Sequence, residues 1–249
     1  MGNLTGRFAV VTGAGKGIGR AIAERFLADN VAGVALLDMD EELVKATAKE
    51  LDPTGVRAIG IRCDVSDQEN VNAAIAQVTE KFGRVDILVN NAGITRDAMF
   101  HKMTVDQAKK VMDDHFYGTF YCCQAVIGGM REREYGKIVN ISSTSAFGNI
   151  GQANYAAAKS AIDGFTRTLA LESARKNITV NSIAPGMVNT DILKTIPADL
   201  MEKKIAATPA QRLGEPSEIA SVASFLASDD SSWVTGNCIL ACGGLKMRG

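Results

Sequence analysis

Short runs rich in valine, isoleucine and leucine return along the chain between longer amphipathic segments, and this alternation restricts the architecture more than any other feature. The runs are FAVVT (8–12), VALLD (34–38), RAIGIRCDV (57–65), VDILVN (85–90), KIVNIS (137–142), TVNSIA (179–184) and NCILA (237–241). Their weak polar alternation suits strands covered on both faces. Helical patterns over 18–29, 40–51, 67–82, 104–131, 154–175 and 216–228 separate them. Strands alternating with helices are joined by right-handed crossovers and build a parallel sheet. The prediction is a doubly wound α/β fold, with seven parallel strands and helices on both faces. No linker or repeat interrupts the 249 residues, so 1–249 reads as one domain. The segment 187–212 breaks the alternation and is expected to form a lid over a ligand site.

Charge and cysteine content narrow the function classes. Lys plus Arg (27) nearly cancels Asp plus Glu (28), and a nucleic-acid surface needs a basic excess. Nucleic acid is therefore excluded as a partner. Cys238 and Cys242 lie in one predicted strand, where four residues span about 13 Å, too far to chelate one ion. No Cys/His cluster supplies other ligands, so no metal site is predicted. The five cysteines read as buried thiols of a reducing compartment. The first residues lack the charged-then-apolar layout of a signal peptide, and no apolar run approaches 18 residues. A cytoplasmic protein without membrane association is expected.

The first strand runs into TGAGKGIGRAIAERF, with Gly13, Gly17 and Gly19 where a strand must turn into a helix. Such a turn brings backbone N–H groups and a helix N-terminus to a pyrophosphate. A tight structural turn is the competing explanation, because the spacing differs from G-x-G-x-x-G. Asp38 ends the second strand, where an acid accepts hydrogen bonds from adenosine ribose hydroxyls and repels a 2′-phosphate. It argues for NAD over NADP, with Lys16 pulling weakly the other way; a solvated loop acid is the alternative. Asp64 and NNAG (90–93) stand at further strand ends, where open α/β sheets bind ligands.

Tyr155 and Lys159, in NYAAAKSA, are four residues apart and share one helix face. A free phenol has a pKa of about 10, and an ammonium beside it favours the phenolate. The pair suits proton transfer, against the plainer reading of a half-buried aromatic.

The set TGAGKGIG, Asp38, CDV, NNAG, ISS, YAAAK and APGMVNT is similar to the short-chain dehydrogenase/reductase family over essentially the whole chain. That resemblance implies a Rossmann fold, a nicotinamide cofactor and hydride transfer to or from a carbonyl or secondary alcohol. It makes Tyr155 the general acid and has Lys159 hold the nicotinamide ribose. It also implies cofactor contacts at Gly13, Gly15, Lys16, Gly17, Ile18, Gly19, Asp38, Asp64, Val65, Asn91, Ala92, Gly93, Pro185, Gly186, Val188 and Thr190. Val188 would meet the carboxamide through its backbone. For the catalytic serine, counting back from the tyrosine picks Ser142, whereas counting along the strand from Gly136 picks Ser143. A loop absorbs a deletion more easily than a strand, which favours Ser143. His115 falls where the family has a proton-relay asparagine. An imidazole both donates and accepts, and would add a pH dependence that an amide lacks.

Within the family the wording is similar to 3-oxoacyl-(acyl carrier protein) and acetoacetyl-CoA reductases, which implies an acyl thioester as the small-molecule substrate. A dehydrogenase of a small secondary alcohol, polyol or steroid is the alternative, and Asp38 leans that way. The mixed charges of MREREYGK (130–137) weaken the case for a carrier-protein partner. An NAD-binding sensor or scaffold subunit is the alternative from another class, supported only by His115, the short serine loop and Cys242 in ACGGL. Met187 and ILKTIP (192–197) are expected to line the lid. The resemblance also implies a homotetramer, paired through the helices at 104–131 and 154–175.

Overall fold

The seven apolar runs pair as seven parallel strands in the order β3-β2-β1-β4-β5-β6-β7. They are β1 (Phe8–Thr12), β2 (Gly33–Asp38), β3 (Ala58–Arg62), β4 (Ile87–Asn90), β5 (Gly136–Ile141), β6 (Ile178–Pro185) and β7 (Cys238–Ala241). The computed structural model describes residues 3–191, 193 and 198–247. Strand side chains point alternately to the two faces, and both faces are covered, which is why the runs are continuously apolar. Val11, Leu36, Val89 and Val139 meet Ile22, Phe26 and Leu226 on one face. Val10, Leu37, Leu88 and Ile138 meet Val71, Ile75 and Met130 on the other.

The helices are α1 (Gly17–Ala28), α2 (Glu41–Leu51), α3 (Gln68–Phe82), α4 (Val105–Met112), α5 (Gly118–Arg133), α6 (Ala153–Ser173), α7 (Ala198–Ala206) and α8 (Pro216–Ala227). Local chemistry sets their ends. Asp67 caps α3 through the Glu69 and Asn70 N–H groups, and Thr104 with Gln107 forms a capping box on α4. Strand order reverses at β1, whose neighbours are β2 and β4. Chains leaving β1 and β4 therefore diverge to opposite sides, opening a crevice at their carboxyl ends.

Two boundaries differ from the sequence reading. The helix expected over 104–131 is divided by a π-helical turn, Asp113–Tyr117, between α4 and α5. β3 ends at Arg62, and Cys63–Val65 leave the sheet toward the crevice. The segment 187–212 contains α7, while Ile192 and 194–197 of ILKTIP lie outside the described residues. Among the described residues, no helix is long and apolar enough to cross a membrane.

Candidate active site

A cleft of about 480 Å³ opens over the carboxyl ends of β1, β2, β3 and β4. One end is the glycine turn. Asn91 Nδ2 donates to the carbonyls of Thr12 and Gly13, both at 3.0 Å, while Thr12 Oγ1 accepts from the Asn91 and Ala92 N–H groups. These bonds lock the end of β4 to the end of β1. A Cβ on Gly19 would stand 2.3 Å from the Gly13 carbonyl oxygen and 2.6 Å from Asn91 Nδ2, so only glycine closes the turn. The first turn of α1 carries no acidic residue, leaving its positive end to an anion. Asp38 turns its carboxylate to the same rim, accepting from the Gly15 N–H at 3.0 Å and the Asp40 N–H at 3.2 Å. A cradle of backbone N–H groups beside a ribose-height carboxylate fits a dinucleotide.

Tyr155 and Lys159 face the opposite end of the cleft from α6. Lys159 is 3% exposed and donates from Nζ to the Ile141 carbonyl at 2.6 Å. Burial pulls its pKa down to about 7, against the opposing charge of Asp163. Burial raises the Tyr155 pKa, with the neighbouring Ser143 side chain working against that rise and the Asp97 charge adding to it. The expected lowering of the phenol by the neighbouring ammonium is therefore not the dominant effect. The ammonium stands 5.5 Å from the ring centroid rather than at the hydroxyl, and burial outweighs it.

The two serines separate. Ser142 is buried beneath α6, its hydroxyl 3.4 Å from the Lys159 carbonyl oxygen, whereas the Ser143 side chain stands beside that of Tyr155. Alternation at the end of a strand sends neighbours to opposite sides.

His115 sits on the π-helical turn, 3% exposed, with its ring 5.0 Å from that of Tyr155 at an interplanar angle of 87°. Nε2 stands 2.7 Å from the Ile94 carbonyl and 3.1 Å from the Ile94 N–H, so one backbone residue offers it both an acceptor and a donor. Nδ1 is buried and has no hydrogen-bond partner in the structure. Gly93 makes room for the ring, since a Cβ there would stand 1.9 Å from His115 Cε1. Burial, then the Lys159 charge, pulls the imidazole pKa down to about 3. The ring is thus neutral from pH 5 to 9, and the pH dependence anticipated for it does not come from its own titration.

Of the residues singled out from sequence, Gly13, Lys16, Gly17, Ile18, Asp38, Asp64, Val65, Asn91, Ala92, Gly93, His115, Tyr155, Lys159 and Thr190 line the cleft. Others stand behind it. Gly15 holds Asp38, and Gly186 donates its N–H to the Ala241 carbonyl at 3.0 Å, packed where a Cβ would meet Cys242. The Pro185 carbonyl accepts from the Thr144 hydroxyl. Val188 is 6% exposed, bridges to Gly214 and packs into the core. The sequence reading did not single out Met39, Cys63, Ile94, Thr95, Asp114, Ile141 or Asp191, which also line the cleft. Only Asp114 carried a signal, as the acid beside His115. No group of three or more His, Cys, Asp and Glu residues is placed to hold a metal among the described residues.

The fold, the glycine cradle and the Tyr/Lys helix define a nucleotide-dependent oxidoreductase, and the chain belongs to the short-chain dehydrogenase/reductase family. The family model described as "Enoyl-(Acyl carrier protein) reductase" matches residues 13–246. The 3-oxoacyl-[acyl-carrier-protein] reductase FabG of Vibrio cholerae is 41% identical over 246 residues, covering 98% of this chain and 99% of that protein. The acetoacetyl-CoA reductase of Shinella zoogloeoides is 45% identical over 240 residues, 96% and 98% of the two chains. The (2S)-[(R)-hydroxy(phenyl)methyl]succinyl-CoA dehydrogenase subunit BbsD of Thauera aromatica is 39% identical over 244 residues, 98% of each. The protein is an NAD(P)-dependent oxidoreductase.

Proposed function

We propose that the protein reduces the 3-oxo group of an acyl thioester to the 3-hydroxyacyl thioester, with NADH preferred over NADPH. The observation that carries this reading is Tyr155 at the inner end of a dinucleotide-sized cleft, with Lys159 and Ser143 beside it. The three relatives support the substrate class, because each is named for a thioester of coenzyme A or acyl carrier protein.

The nicotinamide, when bound, supplies the hydride. As the substrate carbonyl carbon gains it, the C=O π bond breaks and charge gathers on oxygen. Ser143 donates a hydrogen bond to that oxygen, and Tyr155 gives it the phenolic proton. Lys159 favours the phenolate left behind and helps return a proton to it, with the neutral His115 imidazole against Tyr155 as the next member of the relay. In the oxidative direction the same groups work in reverse. Residues 187–212 act as the substrate lid.

Asp38 supports NADH, because a 2′-phosphate would meet its carboxylate at close range. Steady-state assay of acetoacetyl-CoA reduction with each coenzyme tests this: kcat/KM with NADH is expected to exceed that with NADPH by about tenfold or more. Equal or reversed values remove Asp38 as the determinant. Ser143→Ala is expected to lower kcat by about 10²–10³-fold, as loss of an oxyanion donor does. Ser142→Ala, remote from the reacting oxygen, is expected to lose less than about tenfold; the opposite ranking overturns the choice of serine.

The reading includes a cytoplasmic homotetramer paired through α5 and α6. Exposed Tyr117 beside α5 and Leu171 on α6, at 44% and 83% exposure, support that pairing.

A further inference from the structure

Beneath α6 runs a polar row of the sheet. Asn90, Asn140, Ser182 and Cys238 are neighbours in register across β4, β5, β6 and β7, so their side chains share one face. Asn140 Nδ2 donates to Thr166 Oγ1 at 2.9 Å, and Ser182 Oγ donates to Asp163 Oδ1 at 2.8 Å, which places that face against α6. Asp163 brings a charge to this interface. It is 6% exposed, and Ser182 beneath it is fully buried. Taking a carboxylate out of water is costly, and one hydroxyl bond offsets only part of that cost. An asparagine would accept the same bond from Ser182 without the charge. The charge therefore has another use.

Lys159 supplies it. Tyr155, Lys159 and Asp163 follow one another at four-residue steps on α6, a spacing that sets successive Cβ atoms about 5–6 Å apart on one face. Lys159 Nζ donates to the Ile141 carbonyl at 2.6 Å, which leaves Asp163 to act on the ammonium through space, where a poorly polarisable interior sustains the attraction. The Asp163 charge opposes the burial that pulls the Lys159 pKa down to about 7. Two other titratable groups face the ammonium, Tyr155 from α6 and His115 from the π-helical turn, and burial leaves both neutral near pH 7. From β5 come only the Ile141 carbonyl and the Ser142 hydroxyl. Around Asp163, β6 presents Ser182 and β7 the Cys238 thiol, while Arg167, one turn further along α6, is exposed. We propose that Asp163, anchored by Ser182, is a positioning residue that keeps Lys159 an ammonium beside Tyr155. This rests on the proton-transfer reading of the Tyr155–Lys159 pair. Without the carboxylate, most of the lysine is neutral at pH 7 and no longer favours the phenolate.

A pH titration of protein labelled with carbon-13 at lysine Cε, followed by NMR, reads the Lys159 charge without turnover; loss of one signal in Lys159→Met identifies it. Asp163→Asn keeps the acceptor for Ser182 and the side-chain shape. Its Lys159 midpoint is expected to fall by about one pH unit, and the alkaline limb of kcat/KM for acetoacetyl-CoA reduction to fall with it. Asp163→Ser, smaller and also uncharged, is expected to give the same fall, so the result does not hinge on how one amide fits. A midpoint that stays at the wild-type value in either folded variant overturns the proposal and leaves Asp163 a structural partner of Ser182. A midpoint that falls while the kcat/KM profile stays in place overturns it as well, because Asp163 then tunes a charge the reaction does not use. Absence of turnover in the wild type removes the reduction reading instead, and the midpoint alone then decides whether Asp163 sets the Lys159 charge.

Discussion

Tyr155→Phe is expected to lower kcat for acetoacetyl-CoA reduction by about 10²–10⁴-fold, the range for loss of a positioned general acid. The substitution removes one oxygen from a half-buried ring and keeps the edge-to-face packing on His115. NADH affinity, measured by calorimetry, is expected to remain at the wild-type value, because the glycine cradle and Asp38 are remote from the phenol. The split matters more than the loss. A variant that binds NADH normally but turns over slowly has lost a proton donor, whereas one that fails in both has lost its fold. Full activity in Tyr155→Phe sinks the catalytic assignment.

Lys159→Met is expected to abolish most turnover and to raise thermal stability below neutral pH. The sign follows from burial. Lys159 has a pKa of about 7 in the fold and 10.5 as a model group. Between those values the unfolded chain holds a proton that the folded protein does not, so wild-type stability rises as pH climbs from about 7 toward 10.5. Below pH 7 both states are protonated, and the folded protein carries the full cost of a buried ammonium, on the order of a few kcal/mol. Methionine fills the same space without that cost. Melting curves between pH 6 and 10 are expected to show the variant ahead at pH 6, with the gap closing as pH rises. A variant less stable than wild type at pH 6 would mean that the Ile141 carbonyl bond outweighs desolvation. The lysine is a stability cost retained for chemistry.

These two residues were legible in the sequence because their relation is local: four positions on one helix fix a shared face whatever the rest of the chain does. The sheet was legible for a similar reason, since strands buried on both faces leave continuous apolar runs such as FAVVT and VALLD. What the sequence left open depends on contacts between distant segments. Ser142 and Ser143 differ only in which way the chain leaves β5, and two counting frames give two answers. DDHFY contains no proline or glycine to announce a break, so the π-helical turn passed as ordinary helix. Asp114 within it drew no reading at all, because no one-dimensional pattern marks a carboxylate buried in such a turn.

His115 shows how environment overrides residue type. An imidazole suggests titration near neutrality, but a site closed by Gly93, Ile94 and Tyr155, with an ammonium nearby, leaves it neutral. What it offers is a neutral ring held edge-on against Tyr155, with Nδ1 unpaired in the structure. The pH profile near neutrality then belongs to the Tyr155–Lys159 pair, with Lys159 at about 7 in the fold.

Transfer of a hydride and a proton onto a 3-oxoacyl thioester is the step on which the proposed function stands. The most direct measurement follows NADH absorbance and product together, with acetoacetyl-CoA and the wild-type protein. One NADH is expected to be oxidised for each 3-hydroxybutyryl-CoA formed. Tight NADH binding with no NADH or NADPH consumed on acetoacetyl-CoA or longer 3-oxoacyl thioesters would contradict it.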